Sequence, residues 1–162
     1  LVELGATDAS WHFVGQLQSN KVKSVLTYAS SIHSIDRPSL VKELRKQLEN
    51  QDTKITGFIE LNLTDDPGRG GVLPEKVSEL AEQLISIENL KILGIMAVAG
   101  LGVEPQVDFE RAIRASETLR STIPDADQLS LGMSEDFEVA IEMGATHVRI
   151  GSAITGPRPN TA

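Results

Sequence analysis

Short apolar runs along the chain alternate with longer segments whose apolar residues recur every three or four positions, the pattern of successive strand and helix units in a parallel α/β fold. The runs at 11–14, 31–35, 55–63, 92–97, 128–131 and 147–150 predict strands. Most are almost continuously hydrophobic, as strands buried on both faces must be. Helical periodicity covers 20–28, 38–51, 74–86, 107–122 and 134–143. Pro38 and Pro74 suit a first helical turn, where a missing N–H leaves no bond unmade. Ser134 reads as an N-cap followed by Glu135 and Asp136, which favour the positive end of a helix, and Gly144 reads as the stop of the same helix. No linker-like stretch interrupts the series, so a single domain over 1–162 is expected. The longest irregular pieces, 64–73 and 98–106, both follow strands, the side on which such folds carry their ligand loops.

Strand–helix units of this number form either an open doubly wound sheet or most of an eight-unit barrel, and periodicity does not separate the two. The end of the chain adds that Gly151-Ser152-Ala153-Ile154-Thr155-Gly156 runs into Pro157-Arg158-Pro159, which leaves no room for a full closing helix.

Composition narrows the function classes. The 162 residues, 40% of them hydrophobic, suffice for one substantial core. No apolar run approaches the ~18 residues of a membrane span, and residues 1–10 lack the basic start and apolar centre of a signal peptide, so a soluble, cytoplasmic protein with no membrane partner is expected. The absence of cysteine excludes disulfides, thiolate chemistry and cysteine-ligated metals. A net charge of −8, spread along the chain, argues against a nucleic-acid partner.

The candidate chemistry sits in the last two loops, Ser130-Leu131-Gly132-Met133-Ser134 and Arg149-Ile150-Gly151-Ser152. Gly132 and Gly151 allow backbone N–H groups to approach a ligand, and Ser130, Ser134 and Ser152 supply hydroxyls, the makings of a phosphate cradle. The same residue types also make ordinary turns and caps. Arg149 lies within a strand and needs a partner; it either points into the barrel mouth toward an electron-rich ligand atom or pairs with a carboxylate such as Glu60. Gly68-Arg69-Gly70-Gly71 reads as an anion-binding loop or a solvated turn. His12, His33 and His147 all fall in strands without metal-binding spacing and read as separate, hydrogen-bonded structural residues.

A family resemblance adds to this reading. Trp11-His12-Phe13-Val14-Gly15-Gln16-Leu17-Gln18-Ser19-Asn20-Lys21 resembles the WHFIGxLQSNK signature of the YggS/PROSC family of pyridoxal-5′-phosphate (PLP) homeostasis proteins. Ser34-Ile35-Asp36-Arg37 matches its SIDR, Gly94-Ile95-Met96-Ala97-Val98 its GLMAI, and 129–136 and 148–156 its LSMGMSxD and VRIGxAIFG segments. The matches run in order across nearly the whole chain. They imply about six of the eight βα units of a TIM (β/α)8 barrel of the alanine racemase N-terminal-domain type. They also imply PLP as cofactor, with its phosphate on Ser130, Gly132, Met133, Gly151 and Ser152, Arg149 toward the pyridine nitrogen, and Met96 packed in the pocket. Thr155 departs from the family's usual Phe. Family members also begin with two further strand–helix units, the first carrying the lysine that bonds to the cofactor. Nothing here matches that segment, so a partial chain is expected, with none of its own lysines in that role.

The function the resemblance implies is a noncatalytic carrier or regulator of PLP in vitamin B6 and amino-acid homeostasis, with PLP-dependent apo-enzymes as partners. A monomer is expected, with self-association of the partial chain through exposed strand edges. The alternatives are a PLP enzyme such as a racemase, which needs acid/base groups on both faces of the cofactor, and a phosphosugar-binding barrel enzyme. The sole tyrosine, Tyr28, falls late in a predicted helix, which argues against the racemase.

Overall fold

A computed structural model of the chain describes residues 9–49, 52–64, 66 and 68–156. The expected helix end at Gln51, Asp65 and Pro67 of the loop beyond the third strand, and Pro157-Arg158-Pro159 lie outside the described residues.

Six strands form one parallel sheet in chain order: β1 (His12–Phe13), β2 (Ser31–Ile35), β3 (Ile55–Glu60), β4 (Leu90–Met96), β5 (Gln128–Met133) and β6 (His147–Arg149). A doubly wound sheet reverses its strand order at a switch point, and this one never does. The sheet also curls. Five strand spacings of about 4.8 Å would set β1 and β6 roughly 24 Å apart in a flat sheet, yet the rings of His12 and His147, on those two strands, have centroids 6.1 Å apart. The chain is therefore a partial (β/α)8 barrel.

The helices cover the outer face of the sheet: α1 (Val22–Val25), α2 (Pro38–Leu48), α3 (Val77–Leu84), α4 (Pro105–Arg120), α5 (Phe137–Glu142) and the short α6 (Ser152–Thr155). Leu40, Leu44 and Leu48 of α2, Val77, Ala81 and Leu84 of α3, and Phe109, Ala112 and Leu119 of α4 recur at helical spacing and pack on Ile32, Ile59, Ile95 and Leu131 of the strands. Each fully buried Leu, Ile or Phe in this layer contributes about 1.5–3 kcal/mol.

Several elements differ from the sequence expectation for local reasons. The segment 20–28 forms a 3-10 turn (Ser19–Lys21) and one turn of α1, because the Thr27 N–H and hydroxyl both take the Ser24 carbonyl and end the helix. Strand β3 ends at Glu60; Leu61 still donates its N–H to the Met96 carbonyl, and it also pairs in parallel with Val72 beyond the loop. Helix α5 begins at Phe137 rather than near Ser134. Asp136 accepts the Met133 N–H at 2.6 Å, and that turn delays the helix, so Ser134 is not its N-cap. Gly144, at φ +93°, does end α5 as expected.

Candidate functional site

The loops after β4, β5 and β6 enclose a cleft of about 820 Å³ at the carboxyl ends of the strands, bordered by Gly100, Met133, Ser134, Arg149, Gly151 and Ser152. On its β5–β6 side the Ser134 hydroxyl accepts the backbone N–H groups of Gly151 and Ala153, both at 3.3 Å. Two amides thus converge on a single acceptor. A Cβ added at Gly151 would meet nothing within 4 Å, so this stretch of backbone lies open to the cleft. Converging amides and hydroxyls of this kind suit an anionic oxygen.

Arg149 supplies the positive charge. Its Nη1 donates to the carbonyl oxygen of Ser130 at 2.7 Å and to the Ser130 hydroxyl at 2.8 Å, and Nη2 donates to the Ala97 carbonyl at 2.9 Å. Those bonds use three of its five N–H donors and leave two. Arg149 does not form the ion pair with Glu60 that one reading of the sequence offered. Its acceptors are neutral, so its charge is not cancelled locally. Burial lowers its pKa, while Asp136 and Glu60 pull the other way.

The predicted site residues divide into two groups. Met133, Arg149, Gly151 and Ser152 line the cleft. Ser130 is fully buried behind it, with its hydroxyl engaged by Arg149. Met96 is likewise buried, beside Ser130 in the β4–β5 register. Gly132 shapes the loop: its φ is +85°, and a Cβ there would lie 2.6 Å from that of Ala140. Ser134, flanking Met133, borders the cleft, and Ser130 does not.

Sequence reasoning missed what lies beneath the cleft. The three histidines form a cluster, with ring centroids 5.0 Å apart for His12–His33 and 5.8 Å for His33–His147, and Phe58 stacks 4.4 Å from His33. Among the described residues they hold no arrangement suited to a metal. Burial, with His12, His147 and Arg149 nearby, holds the His33 pKa down to about 3. Glu60, in register with Met96, has a buried Oε2 without a hydrogen-bond partner. Burial and Asp36 push its carboxyl up to about 7, against the pull of Arg149, Arg69 and Arg37. The Gly68–Gly71 loop is organised by Asn62, whose Nδ2 donates to the carbonyls of Asp66 and Arg69.

Six parallel strands in chain order, curled with their helices outside and with the cleft in the loops at their carboxyl ends, define a barrel of the (β/α)8 class. The alanine racemase N-terminal domain family matches residues 2–159. A pyridoxal phosphate homeostasis protein from Aquifex aeolicus is 39% identical over 156 residues, taking in 93% of this chain and 68% of that protein. The solved structure of PipY from Synechococcus elongatus with PLP bound superposes with a TM-score of 0.83 at 29% identity, covering 93% of this chain and 73% of that one. The alanine racemase of Corynebacterium glutamicum, at TM-score 0.70 and 16% identity over 94% of this chain and 43% of its own, shares the fold. The chain belongs to the alanine racemase N-terminal domain family and, within it, to the pyridoxal phosphate homeostasis proteins.

Proposed function

We propose that this chain binds pyridoxal 5′-phosphate in the cleft after β4, β5 and β6 and acts as a noncatalytic carrier or regulator of it, in the cytoplasm, within vitamin B6 and amino-acid homeostasis. The observation that carries this reading is the pair of amides, Gly151 and Ala153, converging on one acceptor position in the cleft that Arg149 borders. The backbone of Gly151, Ser152 and Ala153 and the hydroxyls of Ser134 and Ser152 would hold the phosphate. The free donors of Arg149 would face the pyridine nitrogen, and Met133 would flank the ring. Ser130, Met96 and Gly132 act from behind, by fixing Arg149, filling the floor and shaping the loop. The cofactor supplies, when bound, an aldehyde that condenses with primary amines.

The noncatalytic part of the reading is supported by the position of Tyr28. It lies half exposed beside Phe13 and Lys21, none of which borders the cleft, so it offers no acid/base partner there. Apo-forms of PLP-dependent enzymes are the recipients in this reading. The outer edges of β1 and β6, which pair with no further strand among the described residues, are the route to self-association. Among the same residues no helix is long and apolar enough to cross a membrane.

Equilibrium titration with PLP, with pyridoxal lacking the phosphate, and with inorganic phosphate as competitor tests the proposal. PLP should bind at least about tenfold more tightly than pyridoxal, matching the loss of charge-assisted bonds, and phosphate should displace it. Equal affinity for the two, or no binding, would overturn it. Borohydride reduction followed by peptide mapping shows whether any lysine of the chain becomes attached.

A further inference from the structure

The hydrogen bonds beneath the cleft have a direction that can be worked out from donor and acceptor chemistry. Arg149 has donors only. Its Nη1 gives a hydrogen to the Ser130 hydroxyl at 2.8 Å, and the same hydroxyl lies 2.9 Å from His33 Nδ1. Ser130 is fully buried, so its one hydroxyl hydrogen needs an acceptor, and His33 Nδ1 is the acceptor in reach. His33 Nδ1 is therefore bare, and the proton of the neutral ring sits on Nε2. That nitrogen is 2.8 Å from His12 Nδ1 and donates to it. The chain runs one way, from Arg149 through Ser130 and His33 to His12, and it links β6, β5, β2 and β1. The opposite assignment, with His33 donating from Nδ1, strands the hydroxyl hydrogen in a dry interior, at a cost of about 1–3 kcal/mol.

We propose that His33, acting through Ser130, is a positioning residue that fixes the Arg149 guanidinium as a hydrogen-bond donor toward the ring nitrogen of the bound cofactor. This rests on the PLP-binding reading above. The arrangement differs in kind from an ion pair. A carboxylate partner would orient the guanidinium but cancel its charge, whereas the Ser130 carbonyl, the Ser130 hydroxyl and the Ala97 carbonyl orient it and leave the charge whole. A neutral His33 keeps the anchor uncharged, and its depressed pKa supports that state. The charged groups acting on Arg149 from other elements are Glu60 on β3 and Asp136 beyond β5, neither in contact with it as an ion pair. A full cation offering N–H groups opposes protonation of a pyridine nitrogen, which needs an acceptor there.

The two amide isosteres of histidine separate the halves of this chain. In His33→Asn the side-chain oxygen can stand where Nδ1 stood and accept from Ser130; in His33→Gln the amide reaches the Nε2 position and leaves the Ser130 hydrogen without an acceptor. Pyridoxamine 5′-phosphate labelled with ¹⁵N in the ring, bound to each variant, reports protonation of that nitrogen through its chemical shift across a pH series. Wild type and His33→Asn should keep the nitrogen unprotonated at neutral pH. His33→Gln and Ser130→Ala should raise its proton affinity by about tenfold or more, a shift of one pKa unit. Should His33→Gln fail to fold, Ser130→Ala carries the same test with a smaller change of volume. Titrations in Ser130→Ala that match the wild type, or identical behaviour of the Asn and Gln variants, would overturn this inference while leaving cofactor binding intact. Failure of the wild type to bind the ligand at all would overturn the functional reading and this inference with it.

Discussion

The carboxylate of Asp108, on α4, accepts the backbone N–H of Gly100 at 2.8 Å. Its other oxygen takes Arg111 at 2.9 Å, and Arg111 also reaches the Leu63 carbonyl beyond β3. One buried acid thus ties the loop after β4, a wall of the cleft, to the helix behind it. Asp108→Ala leaves the amide and the guanidinium without this acceptor and should cost about 2–4 kcal/mol, measured as a lower urea midpoint. Asp108→Asn should cost less. Both should weaken ligand binding; undiminished affinity in the alanine variant would show that the cleft does not depend on this tie.

Glu60 gives a pH dependence of definite sign. Its carboxyl is raised from the ordinary 4.5 to about 7 by burial first and by Asp36 second. The folded chain therefore holds this proton more tightly than the unfolded one. The associated stability is complete below pH 4.5 and is lost as pH rises through 7. Glu60→Gln keeps the neutral form at every pH and should flatten that decline by on the order of 1 kcal/mol, allowing for solvent screening. Urea midpoints across this window check it, and an unchanged slope in the variant would refute it.

His33 acts in the opposite sense. Its folded pKa, about 3, lies below the ordinary 6.5, so its contribution is present above pH 6.5 and is lost as pH falls toward 3. His147, also lowered by burial and by His12, adds in the same direction. The wild type should lose stability on acidification, and His33→Asn should lose less over the same range. Parallel acid limbs in the two proteins, measured by thermal melting, would count against it.

Two glycines of the last loops should respond very differently to alanine. At Gly132 the new methyl meets Ala140 and, at 2.9 Å, the Phe137 backbone, at a positive φ; a loss of about 3 kcal/mol is expected. At Gly151 the methyl meets nothing within 4 Å, and the φ of −120° lies outside the left-handed region that favours glycine. Gly151→Ala should melt within a few degrees of wild type but bind PLP less well, because the methyl projects beside the amides that converge on Ser134. Comparing melting temperature with affinity for the two variants separates a shape-giving glycine from a ligand-facing one.

The strand–helix order was legible because each unit carries its own periodicity, and β2 falls on the residues that pattern marks. Two of the predicted cleft residues, Gly151 and Ser152, follow from the short distance between the end of β6 and its loop. Ser130 could not be placed that way. It shares a face with Glu60 and Met96 through the registers of three strands, and the register shifts between Ser130 and Met133 against β6. The histidine cluster was hidden for the same reason: His12, His33 and His147 are neighbours only once the sheet has curled. The start of α5 depended on one carboxylate, Asp136, taking a backbone N–H that no periodicity reveals.

Because, among the described residues, the strands pair with their neighbours in the chain, each unit can settle on the one made before it as the polypeptide leaves the ribosome. The cleft is the exception. Arg149 on β6 must reach back to Ala97 beyond β4, and the amides of Gly151 and Ala153 come later still. The contacts that shape the cleft thus form after the strand pairings before them, and a copy that stopped short of Arg149 would keep the earlier strand–helix units without the ties from Arg149 to Ser130 and Ala97.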